Sequence, residues 1–359
     1  MVILGSTGSI GINTLNICRR FNIEVETLIA GNNIELLNKQ IAEFKPKIVV
    51  VANPDKIKDI NHNCVYSGID GILRAIEESQ SKKVVNALVG YLGLMPTLRA
   101  IELGKEVALA NKESLVVAGK FIDMSKITPI DSEHFALWYL YNSRPINKLY
   151  ITASGGAFRD WRVEDIKDAS YKDALNHPNW SMGSKITIDS ASMVNKLFEL
   201  LEARWLFGTS NIDAYIERNS LIHGLIEFKD GSTVAHFSGA DMKLPIAYAL
   251  LGEVEENILE PLNLLEIGEL KFEEIKENRY PIWQIKRHLL NNPDMGVVLN
   301  AANEIAIERF KSGEFGFFGM IDLILEAYKK FEGYRANSIE DIVLIDKEVR
   351  YFTKKLKNS

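Results

Sequence analysis

Two short stretches carry most of the reactive side chains. Asp131-Ser132-Glu133-His134 closes an apolar run, and if the backbone stays extended there the two acids project to one side. Two close carboxylates either share a proton or hold a cation, and hard oxygen donors of this kind suit Mg2+ or Mn2+. The same residues read equally well as a helix start with acids in its first turn. Farther on, Asp189-Ser190 opens a run in which Asn195, Lys196 and Glu199 fall on one helix face, while Met193, Leu197, Leu200 and Leu201 supply the buried side. A helix starting at Asp189 or Ser190 sets a hydroxyl, an amide and an ammonium near a terminus that attracts anions, which suits a phosphate. The plainer alternative is an amphipathic helix with a solvated Lys196–Glu199 pair.

Ser154-Gly155-Gly156 follows another apolar run and can lend a hydroxyl and N–H groups to the same anion, or serve only as a turn. In His177-Pro-Asn-Trp180-Ser-Met182-Gly183, two large apolar side chains stand among Pro, Asn, Ser and Gly, so this segment is expected to act as a lid that excludes water. His223 reads as a proton shuttle or as a structural strand histidine.

Gly5-Ser6-Thr7-Gly8-Ser9-Ile10-Gly11 lies between a short apolar strand and a helical pattern. Gly5 permits a tight turn, Gly8 a close approach to a pyrophosphate and Gly11 tight helix–sheet packing, with helix N–H groups aimed at the phosphates. A linking turn is the alternative. The next strand ends in Ala30-Gly31-Asn32-Asn33, with no acid for a ribose hydroxyl and two amides able to donate to a 2′-phosphate, so NADPH is expected over NADH. Asn111, Lys112 and Glu113 stand after the fifth strand, on the carboxyl edge where open sheets bind ligands, or merely start a helix.

These groups need rigid elements to hold them. Over residues 1–130, β-branched runs alternate with helical patterns, predicting an α/β, Rossmann-like doubly wound domain. Strands are expected at 1–4, 25–30, 47–52, 84–89, 106–110 and 127–130. Residues 131–254 read as an α+β domain, with helices at 133–141 and 190–207 and an antiparallel hairpin about Asp230-Gly231. An acidic linker at 255–274 leads to a helical bundle at 275–359, whose last helix is expected over 339–357.

The chain's 359 residues exceed one core's usual reach, and its net charge of −6 is no footprint for nucleic acid. No apolar run is long enough to span a membrane. Two cysteines cannot build a disulfide framework, and the N-terminus reads as structural, so a cytoplasmic protein is expected.

Taken together, the Gly5–Gly11 loop, Ala110-Asn-Lys-Glu113, Asp131-Ser-Glu-His134, Ser154-Gly-Gly156, His177-Pro-Asn-Trp-Ser-Met-Gly183, Asp189-Ser190, Asn195-Lys196 and Met295-Gly-Val-Val-Leu-Asn-Ala-Ala-Asn-Glu304 closely resemble the 1-deoxy-D-xylulose 5-phosphate reductoisomerases, nearly end to end. The resemblance implies an NADPH-binding domain, a central catalytic domain, a linker and a helical bundle in a homodimer. It also implies rearrangement of the sugar phosphate and reduction to 2-C-methyl-D-erythritol 4-phosphate, a step of isoprenoid precursor synthesis. By the same resemblance, Asp131, Glu133 and Glu199 are the ligands of Mg2+ or Mn2+, and Ser154, Ser190, Asn195 and Lys196 take the phosphate. Ser132, His177, Trp180 and Met182 line the substrate, while Lys112, Glu133, His134, His177 and His223 serve the chemistry. Thr7, Gly8, Ser9, Ile10, Gly31, Asn32, Asn33, Asn111, Glu113 and Gly183 fall to the cofactor. Relatives often carry Lys where Asn32 stands. The competing readings are a metal-independent NADP-dependent dehydrogenase and a non-catalytic NADP-sensing protein.

Overall fold

The computed structural model describes residues 1–356; the expected helix end at Lys357 lies outside the described residues. It divides into two compact units: Met1–Ser114 with Ile122–Ser132 and Asp241–Leu259, and Leu115–Phe121 with Glu133–Ala240 and Glu260–Ser359.

In the first unit β1 (Val2–Leu4), β2 (Thr27–Ala30), β3 (Ile48–Val51), β4 (Val65–Ser67), β5 (Lys83–Asn86), β6 (Glu106–Leu109) and β7 (Ile127–Pro129) form one parallel sheet in the order β4-β3-β2-β1-β5-β6-β7. The strands are near-continuous apolar runs because helices cover both faces of such a sheet. Those helices are α1 (Ser9–Arg20), α2 (Ile34–Phe44), α3 (Gly68–Glu78), α4 (Leu94–Glu102) and the start of α5 (Lys112–Ala118). The doubly wound expectation holds. The edge strand β4 went unpredicted, since Val65-Tyr66-Ser67 is too short to show a period. Strand order reverses between β1 and β5, so the ligand crevice of this architecture falls outside their carboxyl ends.

The chain returns to this unit at 241–259, beyond the single crossing expected near 130. The cause is α11 (Lys243–Leu251), which buries Ile246, Ala247, Ala249 and Leu250 in the same core as Leu15, Ile17 and Leu28. Lys83 Nζ donates to the Ala249 carbonyl at the end of that helix (2.7 Å).

The second unit holds a five-stranded sheet, β11-β10-β8-β9-β12, from β8 (Ile146–Ala153), β9 (Ile212–Glu217), β10 (Ile222–Phe228), β11 (Thr233–Phe237) and β12 (Phe272–Glu273). The hairpin about Asp230-Gly231 forms as expected, with Gly231 at φ +87°. One pair departs from the antiparallel expectation: β8 and β9 run parallel, because the connection between them carries the helices α7 (Val163–Ile166), α8 (Tyr171–Ala174), α9 (Ser184–Ser192) and α10 (Val194–Phe207). The helix α6 (Ser132–Leu140) packs Ala136 and Leu137 against Gly224, where a Cβ would lie 3.2 Å from both. After the single turn α12 (Leu264–Ile267), the chain ends in α13 (Lys286–Asn291), α14 (Gly296–Lys311), α15 (Phe317–Lys330) and α16 (Ile339–Lys355). Phe158, Phe310 and Phe317 meet edge-to-face in their core.

Residues 190–207 are not one helix. Met193 takes a left-handed conformation (φ +68°) between α9 and α10 while its side chain stays buried. Asp189 and Ser190 therefore end α9 rather than begin a helix, and Asn195 and Lys196 occupy the first turn of α10.

At the amino edge of the parallel sheet, buried Glu26 accepts hydrogen bonds from Ser79 Oγ (2.6 Å), Gln80 N (3.1 Å) and Ser81 N (2.8 Å), tying the end of α3 to β2. Burial pushes its pKa up, but these donors outweigh burial and hold it at about 2. A depressed carboxylate contributes stability that is present above its unfolded value and lost as pH falls through the folded one. We therefore expect Glu26→Gln to cost about 1–3 kcal/mol in urea denaturation at neutral pH, with the deficit shrinking toward pH 2; a deficit independent of pH would contradict this account.

Candidate active site

In the first unit the Gly5–Gly11 loop is shaped by contacts that no side chain permits. Gly5 sits at φ +86°, and a Cβ on it would lie 2.6 Å from the Ala87 carbonyl oxygen beyond β5; a Cβ on Gly11 would lie 2.2 Å from the Gly5 carbonyl oxygen. The loop thus fills the gap between β1 and β5 and turns directly into α1. Thr7, Gly8, Ser9 and Ile10 stand at its N-terminus, with Gly8 and Ser9 exposed. Gly31, Asn32 and Asn33 are exposed beyond β2, and Asn33 Oδ1 caps α2 by accepting from Leu36 N (3.2 Å). Asn111 is buried: its amide donates to the Leu88 and Gly90 carbonyls (2.9 Å each), so it braces the loops around the crevice. Glu113, also buried, accepts from that amide (3.1 Å). Lys112 forms an ion pair with Asp131 (2.6 Å).

In the second unit the acids and the phosphate candidates meet. Glu133 lies in the first turn of α6, so the helical alternative for Asp131–His134 is the one adopted rather than the extended one. Lys196 Nζ reaches Glu133 Oε1 (2.6 Å), Glu199 Oε2 and the Thr152 carbonyl of β8 (2.5 Å), while Asn195 Nδ2 donates to Glu199 Oε1. Lys196 is 4% exposed and Glu199 1%, which rules out the solvated surface pair. Burial alone would depress the ammonium's pKa, but Glu133 and Glu199 outweigh it and hold the value above ordinary. Carboxylate oxygens that converge on one buried positive charge have the donor chemistry that a hard divalent cation requires.

Ser154 and Ser190 come together through Gly155 and Gly156, both at positive φ; a Cβ on Gly156 would lie 2.7 Å from the Ser190 carbonyl oxygen. Ser154 Oγ accepts from Gly156 N (3.2 Å) and meets His177 Nε2 (2.9 Å). His177 Nδ1 accepts from Asn179 N and Trp180 N (3.2 and 2.9 Å), which places the neutral ring's proton on Nε2. Burial, then Arg159 and Lys196, lowers the His177 pKa to about 4, so the ring is neutral at neutral pH. Ser154 Oγ thus accepts two bonds, which leaves its own hydrogen to donate.

His134 is fully buried, with Nε2 donating to the Glu199 carbonyl (2.9 Å) and Nδ1 3.1 Å from Glu202, so it ties α6 to α10 behind Glu199. His223 stands where the register of β10 and β11 shifts, its Nε2 3.3 Å from the Ser238 carbonyl. Such a bulge re-aims a side chain. The Trp180 ring meets His223 edge-on (6.2 Å), half-buried as is Met182, and Gly183 precedes the first turn of α9. Ser132 is buried at the start of α6.

Three residues escaped the sequence reading. Arg159 binds the Ser154 and Arg218 carbonyls (3.1 and 2.7 Å) and carried no local signal. Glu202, three positions past Glu199, was legible as the same helix face. His236 pairs opposite Gly224, next to His223 (6.4 Å), and hairpin register counted from Asp230-Gly231 would have found it.

Family models described as 1-deoxy-D-xylulose 5-phosphate reductoisomerase match residues 1–119, and those for its C-terminal domains match 127–207 and 237–352. The chain belongs to the 1-deoxy-D-xylulose 5-phosphate reductoisomerase family. The reductoisomerase of Nautilia profundicola is 60% identical over 358 residues (98% of each chain), and that of Wolinella succinogenes 52% identical over 360 (99% and 100%). Among solved reductoisomerases, one in complex with NADPH, fosmidomycin and magnesium superposes with a TM-score of 0.91 at 34% identity, covering 98% of this chain and 96% of that one. The Zymomonas mobilis reductoisomerase in complex with NADPH gives 0.88 at 30%, covering 98% and 97%.

Because Trp180 is half-buried in a loop and not in the core, Trp180→Ala is expected to lower turnover about tenfold to a hundredfold while moving the melting temperature by no more than ~2 °C. A large drop in melting temperature without ligand would place this ring among the structural core residues.

Proposed function

We propose that this protein converts 1-deoxy-D-xylulose 5-phosphate to 2-C-methyl-D-erythritol 4-phosphate with NADPH and Mg2+ or Mn2+. The observation that carries this reading is the convergence of Glu133 and Glu199 on one buried positive charge, in a chain of the reductoisomerase family. Glu133 and Glu199, with Asp131 two positions before Glu133 in the chain, are the residues assigned to the cation. When bound, that cation supplies Lewis acidity and a template for adjacent substrate oxygens, and NADPH supplies the hydride.

The chain's own groups do the rest. Ser154, Ser190, Asn195 and Lys196 hold the phosphate, with the Ser154 hydrogen and the Lys196 ammonium as donors, and this remote binding orients the reacting end. His177, uncharged, orients Ser154. Trp180 and Met182 exclude water over the reacting carbons, and His223 and Ser132 contact the polar substrate atoms. Lys112 balances Asp131 in the first unit and so fixes that carboxylate. The exposed N-terminus of α1, cradled by Gly5 and Gly11, takes the pyrophosphate, and Asn32 with Asn33 takes the 2′-phosphate. Neither a metal-independent dehydrogenase nor an NADP sensor requires two acids gathered at such a buried point.

A homodimer is supported by apolar side chains beside the sheet edge at β12: Leu265 is 93% exposed, and Leu264 and Phe272 are exposed too. A cytoplasmic location fits the two free cysteines, and among the described residues no helix is long and apolar enough to cross a membrane.

With Gly31-Asn32-Asn33 and no acid directly after β2, kcat/KM for NADPH is expected to exceed that for NADH by about 10- to 100-fold, the worth of a charge-assisted hydrogen bond; equal values would remove the 2′-phosphate assignment. Glu199→Gln is expected to raise the Mg2+ concentration for half-maximal turnover by about tenfold or more with NADPH binding intact. An unaltered metal titration would take Glu199 out of the cation site.

A further inference from the structure

The Lys196 ammonium donates to Glu133 Oε1 and to the Thr152 carbonyl, and it is ion-paired with Glu199 Oε2. Its neighbour Asn195 also gives its amide to Glu199. Two of the four side chains assigned above to the phosphate are thus engaged with the carboxylates assigned to the cation, and Lys196, held between Glu133 and Glu199, turns to a phosphate only by loosening that pairing. A divalent cation held by Glu133 and Glu199 would compete with the ammonium for the same carboxylates, and the repulsion between like charges would be relieved by the flexible four-carbon stem swinging away. Ser154 lies two residues beyond Thr152 in the chain, so a phosphate held by Ser154 is an acceptor within the same stretch for the displaced ammonium.

We propose that Lys196 is an exchangeable internal counter-ion: it neutralises Glu133 and Glu199 until a divalent cation takes its place, and the released ammonium, with Asn195, then completes the phosphate pocket. This rests on the functional reading above and deepens it. Cation and phosphate binding are coupled through one side chain, and by linkage each strengthens the other equally. The enzyme thereby reserves its strongest phosphate donor for the metal-loaded state.

The test is Mn2+ binding, followed by the electron paramagnetic resonance of free Mn2+ with the full-length protein, with and without inorganic phosphate and corrected for Mn2+–phosphate association. In the wild type, phosphate should tighten Mn2+ by about fivefold or more. Lys196→Met should bind Mn2+ more tightly than wild type without phosphate, because the competing ammonium is gone, and should show no coupling. Coupling that persists in Lys196→Met belongs to through-space attraction and overturns the exchange, as does weaker Mn2+ binding by that variant. If Lys196→Met does not fold, the wild-type measurement decides: no coupling overturns the proposal. Glu199→Gln separates the two levels, since loss of Mn2+ affinity in that variant with no coupling in the wild type sinks only the exchange, whereas unchanged affinity sinks the cation site itself.

Discussion

A single ammonium shared between two acids inside protein is the interaction around which the second unit is arranged. Lys196 joins α10 to Glu133 of α6 and to Thr152 of β8, so three elements meet at one nitrogen. Taking these charges out of water is costly, and the cost is met only when the geometry satisfies all partners. His134 adds a second rung between the same two helices through the Glu199 carbonyl and Glu202. With two polar rungs, sliding α6 past α10 would strand a buried charge. The helices are therefore registered to one another more sharply than apolar packing alone would hold them.

The first unit solves a different problem with different means. Its crevice is defined by what is missing: Cβ atoms at Gly5 and Gly11 would strike backbone, so only glycine lets the loop sit between β1 and β5. Asn111 then braces the neighbouring loops from below with two amide hydrogens. One unit places ligand groups by charge, the other by close backbone approach, and a reaction that needs both a cation and a dinucleotide draws on each.

Much of this was legible in the residues. Parallel strands announce themselves as apolar runs, and Asp230-Gly231 announced its hairpin. What escaped was settled by tertiary packing. Nothing in Ser190–Phe207 marks Met193 as a break; its left-handed backbone and buried side chain are seen only in the fold. That break moved the helix start from Ser190 to Val194, leaving Ser190 near the end of α9 and close to Gly156. The carboxylates were found by type and spacing, whereas their burial could not be, since Lys196 and Glu199 at helical spacing usually lie in water. His134 was likewise legible by type beside two acids, whereas its full burial and its bond to the Glu199 carbonyl were set by packing.

The return of residues 241–259 to the first unit bears on how the chain is made. Strands β1 to β7 and their helices leave the ribosome early, yet the core that includes Leu15, Ile17 and Leu28 stays open until Ile246, Ala247, Ala249 and Leu250 arrive. More than a hundred residues of the second unit are synthesised in between. The nascent first unit therefore waits with an uncovered apolar face, a period in which chaperone capture competes with closure. Completion of the first unit therefore waits on residues 241–259, which follow most of its neighbour's strands in the chain.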